Sequence, residues 1–312
     1  MRTKAIFLSL LIALAGFGSL QSSAQQDEDV RGAFLTTRPK TSAKTEKPGP
    51  NSQPSRRRPK AVTTNATTPN NAATVTDATT NAATTRKGSP QRLGLGLTLF
   101  MRDSNGLSVR ADPTRTFRKG DRVRVLLETN SDGYLYVFNT TDGGQPVMIY
   151  PDAELDQAGN YIQGHVPWEI PSSAAAEERL RWFTFDQSSG AEKLYFVFTR
   201  QPLSSVPIED DLITYCRENN GKCPFKPATD VWAQIKKELD EPVKVAKAER
   251  FGNSQTMPEH QAATRGIGLN RDDPEPSLIM LTASTSKNML VATMDLIHKS
   301  EIGTAQNDQE LQ

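Results

Sequence analysis

Residues 122–139 read RVRVLLETNSDGYLYVFN, in which two runs with apolar side chains at alternate positions flank a polar turn. Val123, Val125 and Leu127 fall on one face of the first run, as in a strand with one buried face. The Asp-Gly pair at 132–133 supplies the positive backbone angle that a tight hairpin needs. This stretch therefore predicts two β-strands joined by a hairpin.

Similar short runs occur on both sides of this stretch. Alternating apolar residues predict strands within 96–102, 146–151, 161–162, 168–170, 182–185 and 192–199. Short strands separated by Gly, Pro, Asp or Asn are typical of an antiparallel β-sandwich. We therefore expect one mainly-β domain that spans residues 93–300.

The apolar period lengthens to that of helices between residues 206 and 241. A first helix is expected to begin at Pro207 and to end at Asn220-Gly221, and a second to span 230–239. These two helices are predicted to form an insertion in the β-sandwich.

The rest of the folded body returns to β-structure at its end. Residues 244–273 lack periodicity and are predicted to form a long loop, whereas 277–282 and 289–298 predict a closing hairpin. Residues 301–312 are polar and are predicted to be a disordered tail.

Two basic residues precede an apolar run at residues 5–20, and small residues lead up to Ala24. This pattern predicts a secretory signal peptide, residues 1–24, cleaved between Ala24 and Gln25. The apolar run is shorter than the ~20 residues of a membrane span. We expect no transmembrane segment after cleavage, and a periplasmic or extracellular location.

Export also determines how the two cysteines are interpreted. Cys216 and Cys223 are the only ones in the chain, and an oxidising compartment favours a local disulfide between them. Neither a metal site nor a catalytic thiol is expected there, because no further ligand or His lies nearby.

The charge is unevenly distributed. The 312 residues contain 37 basic and 36 acidic side chains, but residues 25–92 carry 12 basic and 5 acidic ones, whereas residues 93–312 carry 23 and 31. Residues 25–92 are rich in Thr, Ala, Asn and Pro, a composition that predicts a disordered basic linker, and its Thr-rich part is a candidate for glycosylation. A solvated linker and an arm that contacts an anionic envelope surface both fit, and nucleic acid does not fit an exported chain.

Residues 117–202 resemble the bacterial family known as domain of unknown function 4384. The matching pieces, in order, lie at 117–121 (FRKGD), 132–137 (DGYLYV), 149–152 (IYPD), 170–171 (IP), 183–186 (FTFD) and 190–194 (GAEKL). Residues 295–299 (DLIHK) are also similar to the last strand of longer members. The resemblance implies an immunoglobulin-like β-sandwich in exported or envelope proteins, and it implies no catalytic residues.

Motifs for familiar chemistries are missing from the sequence. The Gly-rich residues 93–97 (LGLGL) open a strand rather than a helix, so they do not indicate a nucleotide site. His165, His260 and His298 lack partners at metal-binding spacing and are expected on the surface. No cofactor or metal is therefore predicted.

Two kinds of site remain open. Tyr136, Tyr150 and Trp168 are candidates for an aromatic platform that stacks on a sugar or a peptide, although alternation sends about half of such side chains into a core. Alternatively, an envelope-polymer hydrolase would use acidic residues, and Asp152, Asp156 and Glu169 are the candidates. The leading hypothesis is a non-catalytic exported module that binds an envelope protein or polysaccharide.

Overall fold

The computed structural model describes residues 18–40, 91–153, 159–218 and 223–299. Most of the predicted signal peptide, linker residues 41–90 and the predicted tail lie outside these ranges. Within them the chain forms thirteen strands and four α-helices.

The strands are, in chain order, β1 (Gly94–Arg102), β2 (Ser108–Arg110), β3 (Thr116–Arg118), β4 (Arg122–Thr129), β5 (Gly133–Thr141), β6 (Val147–Tyr150), β7 (Tyr161–Ile162), β8 (Trp168–Ile170), β9 (Phe183–Thr184), β10 (Gly190–Thr199), β11 (Val243–Lys247), β12 (Leu278–Thr282) and β13 (Met289–Lys299). The helices are α1 (Gly18–Leu35), α2 (Glu209–Glu218), α3 (Thr229–Leu239) and α4 (Met257–Arg265).

The strands form two sheets. The seven-stranded sheet has the order β11-β12-β1-β4-β8, with β2 also paired to β1 and β9 to β4. The six-stranded sheet has the order β3-β13-β10-β5-β6, with β7 on β5. Among the described strands every pair is antiparallel except β3 with β13, which is parallel. The mainly-β prediction is confirmed, but the six-stranded sheet is mixed rather than purely antiparallel.

The main core lies between the two sheets. Leu97 from β1 and Val125 from β4 belong to the same buried cluster as Leu135, Phe196 and Leu296 from the six-stranded sheet. Because successive strand residues point to opposite faces, alternate apolar residues from both sheets meet in this layer. The inward face predicted for β4, with Val123, Val125 and Leu127, is therefore the observed one.

The two predicted helices cover the outer face of the six-stranded sheet. Leu212 from α2 and Ile235 from α3 are buried in a second cluster with Phe138 from β5. Cys216, near the end of α2, forms a disulfide with Cys223, which follows the helix. The helical insertion and the disulfide are both confirmed.

The hairpin predicted at 130–133 is wrong. β4 and β5 belong to different sheets, so this turn carries the chain across the sandwich. A Cβ on Gly133 would lie 2.5 Å from the carbonyl oxygen of Thr199, so glycine permits close approach of β5 to β10. The true hairpin joins β5 to β6, and its turn contains Asp142 and Gly143 at φ 49° and 71°.

The closing hairpin is also wrong. β12 pairs with β1 and β11 in the seven-stranded sheet, whereas β13 pairs with β10 and β3 in the six-stranded sheet. β12 thereby pairs with the backbone groups at the edge of β1, and β13 pairs with those at the edge of β10. If β12 and β13 paired only with each other, these backbone groups would lack partners.

Helix α1 packs on the outer face of the seven-stranded sheet. Val30 and Phe34 are buried with Ala246 from β11 and Ile279 from β12. The prediction of a disordered arm is therefore wrong for residues 25–40. The polar composition of the linker concealed one pair of apolar residues that are four positions apart and share a helix face.

The predicted loop 244–273 contains β11 and α4. Helix α4 begins with a capping box, in which the Thr256 side chain accepts from the Glu259 backbone and the Glu259 side chain accepts from the Thr256 backbone. Local side-chain hydrogen bonds, rather than apolar periodicity, thus mark this helix.

The outer face of the seven-stranded sheet is covered, although its alternate residues include arginines. Three buried arginine–carboxylate pairs lie on it, namely Arg38–Glu128, Arg110–Glu259 and Arg124–Glu169, with shortest N–O distances of 2.6, 2.5 and 3.8 Å. The guanidinium of Arg124 also lies 4.0 Å from the centroid of the Trp182 ring. Paired charges are therefore buried on this outer face, although the alternation of apolar and polar residues predicts that it is exposed to solvent.

Candidate functional site

A pocket of about 420 Å³ opens at one end of the sandwich, between β4 and β9 of one sheet and β5, β10 and β13 of the other. Its apolar walls are formed by Val123, Ile149, Phe183, Phe185, Leu194 and Leu296. Its polar lining consists of Asn139, Thr141, Thr184, Asp186, Ser188, Glu192 and His298. Its volume is in the range of pockets that hold small ligands.

His298 is buried beside this pocket. The residue is 5% exposed, and neither ring nitrogen has a hydrogen-bond partner. Its ring lies 5.1 Å from the Phe185 ring, and its Nε2 lies 3.8 Å from Glu192 Oε1, beyond hydrogen-bond distance. A buried imidazole without a hydrogen bond carries a desolvation penalty that a ligand could relieve.

Asn139 and Glu192 form a polar pair at the same end. Asn139 Nδ2 donates to Glu192 Oε2 at 2.6 Å, and the Thr141 hydroxyl donates to the same oxygen at 2.9 Å. Asn139 Oδ1 is buried and has no partner. Asn139 Oδ1 is therefore a buried acceptor that no hydrogen bond satisfies.

A second carboxylate lies at the rim. Asp186 accepts from the backbone N–H of Ser188 at 2.9 Å and from its hydroxyl. These hydrogen bonds, the hydroxyl's first, hold the pKa of Asp186 below its usual value. The rim carboxylate is therefore ionised at neutral pH.

Three polar side chains meet here because each of three neighbouring strands has a polar residue at the end of its series of inward-facing residues. Asn139 continues the inward face of β5, Glu192 precedes that of β10, and His298 continues that of β13. Cross-strand register places Asn139 opposite Leu194 and His298 opposite Gly190. Sequence reasoning missed all three residues, although Met294 and Leu296, four and two positions before His298, were a signal that it points inward.

The predicted aromatic platform is not present. Tyr136 and Tyr150 are fully buried, and Trp168 is 8% exposed. The Tyr136 hydroxyl accepts from the Leu203 backbone N–H at 3.0 Å under the helices, and burial raises its pKa. Tyr150 and Trp168 pack against each other in the main core, with ring centroids 5.7 Å apart. Tyr150 and Trp168 thus lie between the sheets, whereas Tyr136 lies on the outer face of the six-stranded sheet, where the helices cover it.

The carboxylates considered for hydrolysis are not assembled into an exposed pair. Glu169 is buried, accepts from Gln255 Nε2 at 2.7 Å and from Ser173 N at 3.2 Å, and faces Arg124. Asp152 borders a different, smaller pocket beside Cys223. Asp156 lies outside the described residues.

His165, expected on the surface, is also buried. Its Nδ1 lies 2.8 Å from Glu128 Oε1 and its Nε2 lies 2.7 Å from Thr37 Oγ1. The order hydroxyl, imidazole, carboxylate is that of a hydrolase triad. However, the Thr37 hydroxyl donates to the Phe34 carbonyl, and both Glu128 oxygens accept from Arg38. These groups hold the N-terminal segment onto the body.

The charge on Glu128 follows from these contacts. Burial alone would raise its pKa, but hydrogen bonds from His165 and Arg38 outweigh burial and lower it.

The expected cleavage position, between Ala24 and Gln25, lies within helix α1. The buried contacts of this segment are made by Val30, Phe34 and Arg38, which follow that position. Cleavage there would leave these contacts in the mature chain.

The described ranges contain neither a membrane-spanning helix nor a cluster of metal ligands. None of the four helices has the length and apolar character needed to cross a membrane. In the same ranges, no group of three or more His, Cys, Asp or Glu side chains is arranged to hold a metal ion.

The fold and the pocket together define a two-sheet β-sandwich with a ligand-sized opening at one end. Residues 116–202 match a family model described as "Domain of unknown function (DUF4384)". This match confirms the resemblance found in the sequence, and it includes every residue that lines the pocket except Leu296 and His298. Comparison with curated proteins and with solved structures gives no match.

Proposed function

We propose that the protein is an exported, non-catalytic module with an immunoglobulin-like sandwich, which binds a small ligand or one group of an envelope partner in the end pocket. The observation that carries this proposal is the convergence of Asn139, Glu192 and His298 on an open pocket with apolar walls, where Asn139 and His298 have buried polar atoms without a hydrogen bond. Apolar walls with a few convergent polar groups are typical of binding sites.

Export is supported by the sequence of residues 1–24 and by the disulfide between Cys216 and Cys223. Disulfides persist in oxidising compartments. An envelope partner follows from this location, and the excess of basic residues in the linker suits an additional contact with an anionic surface.

The proposal is tested by ligand-observed NMR on the full chain with a library of small fragments. Thr184 is exposed at the pocket, so Thr184→Trp should block the opening without altering the core. Ala233→Trp is the matched control, because Ala233 is exposed on α3 and does not line the pocket. We expect fragment binding that Thr184→Trp removes and Ala233→Trp retains.

The same spectra report turnover. A fragment that is bound and then chemically converted by the wild type, but not by Thr184→Trp, would replace the non-catalytic proposal with an enzymatic one. Absence of any fragment sensitive to Thr184→Trp would reject the pocket as a binding site.

A further inference from the structure

We propose that the end pocket takes an organic cation, an ammonium or guanidinium group carried on an aliphatic stem, as in a lysine or arginine side chain of a peptide. This inference rests on the proposed function, because it names the ligand class of the same pocket. It is carried by three independent features of the lining: its charge, its hydrogen-bonding capacity and its apolar walls.

The charge of the lining is negative. Asp186 and Glu192 contribute carboxylates, and the lining contains neither Lys nor Arg. Glu192 is paired with neutral groups, Asn139 and Thr141, so its charge is not compensated by a bonded cation. His298 is the one basic group in the lining, and its Nε2 stays 3.8 Å from Glu192. An anionic ligand would be repelled here, whereas a cation would be attracted.

Three polar side chains of the lining direct a donor to one of its two carboxylates. Asn139 Nδ2 and the Thr141 hydroxyl donate to Glu192, and the Ser188 hydroxyl donates to Asp186. Asn139 Oδ1 has no hydrogen-bond partner, and the bonds from Asn139 and Thr141 both go to Glu192 Oε2, which leaves Oε1 to accept from a ligand. A ligand group with several N–H donors complements this set, and charge-assisted bonds of this type are the strong ones.

The apolar walls of the pocket favour a ligand with an aliphatic stem. Ile149, Phe183 and Leu194 border the same space as the carboxylates. An alkyl chain can lie along these side chains while its charged end reaches the acceptors, as the stems of Lys and Arg do on protein surfaces. A small hydrated inorganic cation would leave this apolar area without a partner.

Three probes of five carbon atoms each separate the possibilities: pentylamine, pentan-1-ol and pentanoate, titrated into the full chain at pH 7 by ligand-observed NMR. An alkylamine is a cation at this pH. We expect pentylammonium to bind about tenfold or more tightly than pentan-1-ol, and pentanoate to bind most weakly.

Glu192→Gln should weaken pentylammonium binding about tenfold or more and leave pentan-1-ol binding unchanged. Glu249→Gln is the matched control, because Glu249 is exposed outside the pocket and its substitution changes the net charge equally. Asp186→Asn at the exposed rim provides a second test, with a smaller loss, should Glu192→Gln disturb the fold.

The outcomes distinguish this inference from the proposed function. If pentan-1-ol or pentanoate binds as tightly as pentylammonium and Thr184→Trp removes this binding, the cation assignment is overturned and the pocket remains a binding site. If none of the three probes binds, the cation assignment is again overturned, and the fragment library alone decides the proposed function. Equal losses in Glu192→Gln and Glu249→Gln would also overturn it, because the effect would then be one of net charge.

Discussion

Arg38 donates to both carboxylate oxygens of Glu128, from Nε at 2.8 Å and from Nη2 at 2.6 Å. Arg38 is 1% exposed, and its Nη1 and Nη2 also donate to three backbone carbonyls of the segment 270–274. One side chain from the polar N-terminal region thus joins β4 to the segment that precedes β12. Residues 25–40 are therefore part of the folded body.

Arg38→Met should lower the free energy of unfolding by about 3–5 kcal/mol, because it leaves the Glu128 carboxylate buried without its main partner. Chemical denaturation of the full chain measures the change. Arg179→Met serves as the control, since the Arg179 side chain is 74% exposed in its pair with Glu177. The control should change stability by less than about 0.5 kcal/mol. Equal stabilities of the two variants would contradict the role of Arg38.

Removal of residues 1–40 should destabilise the body at least as much as Arg38→Met does. Truncation exposes the surface that Val30 and Phe34 cover and also removes Arg38. The control is a chain that begins at Gln25 and so retains these contacts. Denaturation midpoints of the two truncated chains provide the comparison. A chain from residue 41 that is as stable as the chain from Gln25 would show that the segment does not contribute.

Stability should fall in acid partly because of Glu128. Its pKa is lowered in the folded state, below the ~4.3 of an unfolded glutamate. The folded state therefore binds fewer protons, so this contribution is complete above the unfolded value and is lost as the pH falls through the folded one. Asp112 and Asp186, whose pKa values are also lowered, act in the same direction.

The contribution of Glu128 is separated from the others by comparison with Glu128→Gln. Unfolding free energies measured at several pH values between 7 and 3 should fall less steeply for this variant than for the wild type. Parallel curves would mean that Glu128 does not titrate differently in the folded and unfolded chains.

Local patterns predicted the strands but not their partners. The alternation in β4 correctly assigned Val123, Val125 and Leu127 to the core, yet the turn between β4 and β5 crosses from one sheet to the other. Alternation is a property of one strand, whereas pairing depends on edges supplied by residues far away in sequence. For the same reason the end of β12 was predicted next to β13 instead of beside β1.

The candidate site was beyond prediction for a related reason. His298 could have been assigned to an inward face from Met294 and Leu296, but its proximity to Asn139 and Glu192 depends on β13, β10 and β5 being neighbours. Likewise, Arg38 gave no local sign of burial, because its partner Glu128 lies in another segment. Polar residues that pair over long sequence distances leave no periodic pattern.

The same substitution, glycine to alanine, at two positions tests the turn at 130–133 between the two sheets and the packing of helix α1. Gly133→Ala should destabilise the protein by about 1–3 kcal/mol, because the new Cβ would lie 2.5 Å from both the Thr199 carbonyl oxygen and a ring carbon of Phe198. The Thr199 carbonyl belongs to the backbone of the neighbouring strand β10, so it has little room to move away from the new Cβ. Gly32→Ala should instead stabilise by about 0.5–1 kcal/mol, since Gly32 lies within α1 and a Cβ there meets nothing within 4 Å. Thermal and chemical denaturation of both variants provide the measurement, and opposite signs are required. A destabilising Gly32→Ala would contradict the docked helix, and a neutral Gly133→Ala would contradict the close approach of β5 to β10.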